Sequence, residues 1–229
     1  MLERIVAEAP TFFTASNGMF LLAALARTLG MTLIGCSIGF AVGLGIAVVR
    51  GTRSPWLLPL RLLGTLFVET FRRIPFLVIL FIVLFVIQPL VPRATLFTIA
   101  TVSVVMVATA FLSEIIRAGL ESVPRQQIEG AAALNFSPIQ TLLLIVLPQS
   151  WRVILPPAAA FVVMFIKDTS LASHLGVVEL TFAGKMLVNN GFSPVLGFGA
   201  ILLLYFALSY PLSRMAARLE TRLAPSRHP

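Results

Sequence analysis

The sequence predicts an all-α fold, a polytopic membrane helix bundle of about five transmembrane helices, and three observations carry that prediction. Of the 229 residues, 58% are hydrophobic and only 11% are charged, whereas a water-soluble domain carries roughly a quarter of its residues as charges. The mean hydropathy is +0.98. The apolar residues gather into stretches near the ~20 residues that cross a hydrocarbon core: Leu29 to Val49, Ile74 to Val91, Phe97 to Ile116, Val153 to Leu171 and Val195 to Leu212. An ordinary soluble enzyme, a disordered chain and a nucleic-acid reader are excluded as starting points. The net charge of +8 sits at the ends of the apolar stretches, where it orients a membrane protein rather than attracting a polyanion.

Taken in order, Met1 to Pro10 carries Glu3, Arg4 and Glu8 and lacks the basic-then-apolar order of a cleavable signal peptide, so the first span is expected to stay. Residues 1–28 read as an external N-terminal segment, with Met19 to Ala26 too short to span and expected at the interface. In the first span Gly35, Gly39 and Gly43 recur at every fourth residue, a flat stripe that lets another helix approach closely. Cys36 is the single cysteine and reads as packing; no metal site and no redox role are expected. The fourth span is the weakest, opening near Pro156 and Pro157 and ending in Lys167 and Asp168.

Arg50, Arg53, Arg61, Arg72 and Arg73 follow the first span, Arg117, Arg125 and Arg152 the third, and Arg214, Arg218, Arg222 and Arg227 the fifth. The other side has Arg4, Arg27, Arg93, Lys167 and Lys185. The positive-inside rule therefore puts the N-terminus outside and the C-terminus in the cytoplasm. Residues 29–212 form the expected transmembrane domain, with a cytoplasmic loop at 117–152 and a basic tail at 213–229. Arg214, Arg218 and Arg222 share one helical face, suited to anionic lipid.

The cytoplasmic loop is patterned. Pro124 opens a helix over Arg125 to Leu134, with Ile128, Ala131 and Ala132 at helical spacing. Asn135 stops it, since Asn tolerates the left-handed conformation that ends helices. Ser137-Pro138-Ile139-Gln140 then combines an N-cap Ser, a Pro at the first helical position and a Gln three residues after the cap. Ile139, Leu142, Leu143 and Val146 continue one stripe until Pro148, giving a helix, a tight turn and a second helix at the cytoplasmic face. An Ala-rich helix with one carboxylate, Glu129, suits a partner's groove, because small side chains permit close backbone approach; a self-packed connector is the alternative.

Glu129-Gly130-Ala131, then Asn135, then Leu147-Pro148 resembles the cytoplasmic coupling motif of ABC importer permeases: Glu-Ala-Ala, a Gly four residues after its last Ala, and a later Leu-Pro. Lys167-Asp168-Thr169-Ser170-Leu171 with Gly176, Val177, Glu179 and Leu180, and upstream Glu69, Phe71, Arg72 and Pro75, are similar to segments of the polar amino acid uptake permeases. The resemblance covers roughly Leu25 to Leu212. It departs at Gly130 (usually Ala), Asn135 (usually Gly), Gln126 (often Gly) and Arg73 (usually Gly). It implies the type I ABC importer permease fold in a bacterial plasma (inner) membrane. It also implies an ATPase-coupling set of Glu129, Gly130, Ala131, Ala132, Asn135, Leu147 and Pro148. The implied partners are ATP-binding subunits, a second permease, identical or related, and an extracytoplasmic solute-binding protein that delivers an amino acid. The chain itself has no Gly-rich loop ending in Gly-Lys-Ser or Gly-Lys-Thr, so ATP and magnesium are expected on the partner ATPase. No cofactor and no catalytic residue are expected here.

Ionisable residues inside spans are costly and mark pathways or wet cavities. The substrate-path candidates are Asp168, Thr169, Ser170, Lys167 and Glu114, with Asp168 the expected acceptor for a substrate ammonium. Adjacent residues on a helix point about 100° apart, so Lys167 and Asp168 are not expected to face one cavity together. Glu69 is expected to pair with Arg72 at i,i+3, and Glu179 and Lys185 to lie in an outer loop open to the delivering protein. An ion-gradient carrier is the rival reading; it predicts a carboxylate relay and inverted repeats, where the sequence has scattered carboxylates. A membrane scaffold is the third.

Overall fold

The computed structural model describes residues 2–52 and 54–223, and every regular element among them is helical. In chain order the helices are α1 (Leu2–Phe12), α2 (Ala15–Gly51), α3 (Leu58–Phe71), α4 (Phe76–Leu90), α5 (Leu96–Glu121), α6 (Arg125–Ala133), α7 (Pro138–Thr141), α8 (Leu147–Asp168), α9 (Leu180–Asn189) and α10 (Pro194–Leu223). A π turn, Leu142–Val146, joins α7 to α8, and a 3₁₀ turn, Thr169–Leu175, follows α8. Four stretches are long and apolar enough to cross a bilayer, and α3 with α4 makes a fifth, broken by a 117° bend.

The axis of the bundle is α5, which buries Ile99, Ala100, Val104, Val107, Ala108 and Leu112. Its main partner is α2, and the glycine stripe explains why. A Cβ on Gly39 would stand 2.7 Å from the Ala108 Cβ and 2.9 Å from the Thr109 backbone nitrogen; on Gly43 it would stand 3.0 Å from the Ser113 nitrogen. Only residues without a side chain let the two backbones come this close. Cys36 is buried at this seam. Aromatic rings carry the packing onward: Phe111 stacks on Phe161 of α8 at 5.5 Å, Phe161 on Phe165 at 5.2 Å, and Phe165 meets Phe76 of α4 at 5.1 Å.

The structure corrects several boundaries. Met19 to Ala26 is no separate interfacial piece, because α2 runs unbroken from Ala15, so the expected limit at 28 falls inside a helix. Leu21 and Ala24 are buried against Leu180, Ala183, Leu187 and Ile201 in a second apolar core. Apolar partners on α9 and α10, unseen by a window of eight residues, hold that helix. The N-terminal helix is tied down too: Glu8 accepts from the Ser193 nitrogen at 2.5 Å, and Arg4 donates to the Gly191 carbonyl at 3.0 Å.

The fourth span begins earlier than expected. Arg117 to Glu121 still belongs to α5, and from Pro138 onward the chain is already one helix with α8, so Pro148 does not end it. Pro148 has no N–H to give the Leu144 carbonyl. The π turn absorbs this: Leu147 donates to the Leu142 carbonyl five residues back, and the Gln149 side-chain amide donates to the Ile145 carbonyl at 3.0 Å. Pro156 and Pro157 lie inside α8. The last helix also passes the expected limit at 212: Ser213, Ala216, Ala217 and Glu220 line a groove with Pro156, Ala160 and Lys167, alongside α8 rather than beyond it. Arg53 and Arg227 lie outside the described residues.

Replacing Gly39 by Ala is expected to destabilise the bundle by about 1–3 kcal/mol, because the contacting atoms include backbone that cannot rotate away. Gly45→Ala, whose Cβ meets open space, is expected to be neutral or stabilising by up to ~1 kcal/mol. Thermal unfolding of both variants in detergent checks the pair.

Candidate functional site

The coupling candidates come together as one local structure. α6 ends in a complete Schellman motif: Asn135 is left-handed at φ 57°, its N–H donates to the Ala132 carbonyl at 3.0 Å, and the Phe136 N–H reaches the Ala131 carbonyl at 3.0 Å. The chain restarts in a capping box. Ser137 Oγ accepts from the Gln140 nitrogen at 3.3 Å, and Gln140 Oε1 accepts from the Ser137 nitrogen at 2.8 Å. α6 packs on the π turn through Ala131, its buried residue, so Leu147 and Pro148 stand directly behind it. Glu129, Gly130, Ala132 and Asn135 are exposed. So are Ile128, Leu134 (70%) and Ile139 (69%), an apolar surface with a carboxylate beside it. A Cβ on Gly130 meets nothing, so this departure from Ala opens no packing conflict.

The substrate-path candidates divide. Asp168 is half-buried at the end of α8 and takes part in none of the ion pairs among the described residues. Thr169 is buried and spends its hydroxyl on the Ile166 carbonyl at 2.7 Å, Ser170 is half-buried, and Lys167 is exposed toward α10. Glu114 stands apart from them. Phe111 and Phe161 mark one level of the antiparallel α5 and α8; three residues one way and seven the other leave about 15 Å of helix axis between Glu114 and Asp168. The Glu114 carboxylate is already occupied by Arg50, Arg117 and Arg72. Glu69 pairs with Arg73 at 2.6 Å instead of Arg72, which turns to Glu114 at 3.5 Å. Sequence spacing cannot rank i,i+3 against i,i+4 when a tertiary partner takes one of the two arginines.

Glu179 is also relocated. It is fully buried, not open to a delivering protein, and its carboxylate accepts from the Thr181 nitrogen at 2.9 Å, the Phe182 nitrogen at 2.7 Å and the Tyr205 hydroxyl at 3.1 Å. It caps α9 and ties it to α10, while Thr28 of α2 accepts from the Leu180 nitrogen at 3.0 Å. Burial pushes the Glu179 carboxyl above its usual range, against the three donors that favour its charged form. The readable signal was a carboxylate directly before an apolar helix. Lys185 donates to Ser173 Oγ at 2.9 Å, pinning the turn after Asp168.

A broken span, a stack of crossing helices and a short helix displayed at one end, on a chain without a nucleotide loop, define the membrane subunit of a transporter powered from another polypeptide. Residues 39–225 match the family model of binding-protein-dependent transport system inner membrane components, and the chain belongs to that family. It is 34% identical over 200 residues to the probable glutamine ABC transporter permease protein GlnP of Bacillus subtilis (strain 168), covering 85% of this chain and 89% of that protein. It is 29% identical over 219 residues to the octopine transport system permease protein OccM of Rhizobium radiobacter, covering 90% and 87%. Among solved structures, an amino acid ABC transporter crystallised with histidines superposes with a TM-score of 0.81 at 23% identity, covering 90% of this chain and 94% of that one. The inward-facing MetNI methionine ABC transporter gives 0.81 at 20% identity, covering 93% and 100%. The fold is that of the type I importer permeases, the chain is a multi-pass inner membrane transport component and not an enzyme, and the ion-gradient carrier is not favoured.

Gly130→Ala is expected to slow hydrogen exchange of the α6 amides about fivefold, the equivalent of ~1 kcal/mol of helix propensity. Asn135→Val, forced into a left-handed conformation at a cost of about 1–2 kcal/mol, is expected to speed it. Glu179 sets a pH dependence. Its folded carboxyl holds its proton more tightly than the unfolded one, so its contribution is present below the ordinary carboxylate range and lost as pH rises toward the raised value. Thermal midpoints in detergent are expected to show that decline, and Glu179→Gln to flatten it.

Proposed function

We propose that this chain is the permease subunit of an ATP-driven amino acid importer, with its N-terminus outside and its C-terminus in the cytoplasm. The observation that carries the reading is the exposed helix-turn-helix at Arg125 to Thr141, whose apolar side chains and Glu129 face outward. Such a surface suits a partner's groove. Two ATP-binding subunits, carrying ATP and magnesium, dock on α6 and on that of a second permease, identical or related. Relatives described as glutamine and octopine permeases support an amino acid as cargo, delivered by an extracytoplasmic solute-binding protein. The arginines after spans one, three and five support the orientation.

Closure of the ATP subunits draws the two α6 helices together. Because α6 hangs between α5 and the α7–π–α8 rod, that movement tilts both spans and opens the path outward; hydrolysis returns them. Residues 29–212 hold the path, 1–28 the outer segment and 213–229 the basic end. Asp168, partnered by none of the basic groups, accepts from the cargo's ammonium, with Thr169, Ser170 and Lys167 around it.

A mild-detergent pull-down is expected to recover a stoichiometric ATP-binding subunit, and intact masses to tell identical from related permeases. Recovery of the chain alone, where other membrane complexes survive, overturns the reading. Asp168→Asn is expected to raise the KM for uptake about tenfold with normal assembly, the loss of one hydrogen bond to a charged group; unchanged kinetics remove Asp168 from the path. Glu129→Arg is expected to abolish ATP-dependent uptake.

A further inference from the structure

Glu114 joins three elements that are distant in sequence. Its Oε1 accepts from Arg50 at the end of α2 and from Arg117 Nε at 3.2 Å. Its Oε2 accepts from Arg117 Nη2 at 3.0 Å and lies 3.5 Å from Arg72 Nη1. The site is largely closed: the side chains of Arg50 and Glu114 are 11% and 16% exposed. Arg50 also donates to Thr65 of α3 at 3.2 Å, and Arg117 to Glu121 at 2.7 Å. Arg72 is the cap residue at the end of α3, directly before the bend, with its guanidinium 5.6 Å over the Phe111 ring.

We propose that Glu114 is a positioning residue that carries the movement of the coupling helix to the broken span. This rests on the import reading above and replaces the direct substrate role expected for Glu114. α5 ends at Glu121 and α6 begins at Arg125, so a pull on α6 reaches Glu114 through about two turns of rigid helix. Glu114 passes it to Arg72, at the edge of the four-residue break. Beyond that break α4 packs on α5 and on the 3₁₀ turn that follows Asp168. Three cations on one carboxylate suit this task, because the guanidinium forks fix direction as well as distance, and a closed site is screened little by salt.

The test is the number of ATP molecules hydrolysed per substrate imported, measured on the assembled complex in proteoliposomes. Glu114→Gln leaves three cations facing one another, so Arg72→Gln is the paired variant, leaving Glu114 with Arg50 and Arg117. Both are expected to keep ATP hydrolysis within about twofold while uptake falls tenfold or more, and Arg72→Lys to recover part of the uptake. An unchanged ratio in both variants overturns the proposal, as does loss of both activities in step with the yield of assembled complex, which marks a scaffold role. Failure of the import reading looks different: the unaltered chain then shows no ATP-dependent uptake at all.

Discussion

The close approach of α2 to α5 is the constraint on which the rest of the bundle depends. In a bilayer, apolar side chains gain little by turning from lipid to protein, so helices associate through van der Waals fit and polar contacts. Gly35, Gly39 and Gly43 remove the side chains that would hold the two backbones apart, and Val104, Ala108 and Ser113 fill the space left. With that seam set, α5 presents its other sides to α3, α4 and α8. The aromatic series from Phe111 to Phe76 then has one level at which it can form. A bulkier seam would displace α5, and with it both the coupling helix below and the broken span beside it.

Polar groups are handled by a second rule, that each one taken from water finds a partner. Thr28 donates to the Ala24 carbonyl and accepts from Leu180; Glu179 has three donors; Glu114 has three cations. Among the described residues no fully buried side-chain nitrogen or oxygen is left unpaired. Asp168 stands out against that background as a half-buried carboxylate outside every ion pair. The contrast between a saturated Glu114 and an unsaturated Asp168 separates two roles that hydropathy alone had grouped.

Features written in neighbouring residues were legible in the sequence. The glycine stripe, the stop at Asn135, the capping box at Ser137 and Gln140 and the broad positions of the spans depend on periodicity and local backbone chemistry, and all appear in the structure. Features that depend on distant partners were not. The pairing of Arg50 with Glu114 joins residues 64 apart in sequence, and no spacing rule reaches that far. The helical state of Met19 to Ala26 needs α9 and α10; the burial of Glu179 needs Tyr205. Pro148 misled for another reason. A proline ends an α-helix by removing one hydrogen bond, yet a single wider turn lets the helix pass, and nothing local distinguishes the two.

The turn between α6 and α7 has a consequence for biogenesis. All of its hydrogen bonds, from Gly130 through Thr141, join residues at most five apart. Local contacts of this kind form in about a microsecond, while a ribosome adds roughly 5–20 residues per second. The docking element is therefore shaped as soon as its residues emerge, before the fourth span has been synthesised. Assembly with a partner then joins two finished surfaces, and the order of synthesis protects the exposed Ile128, Leu134 and Ile139 from being buried in the wrong place.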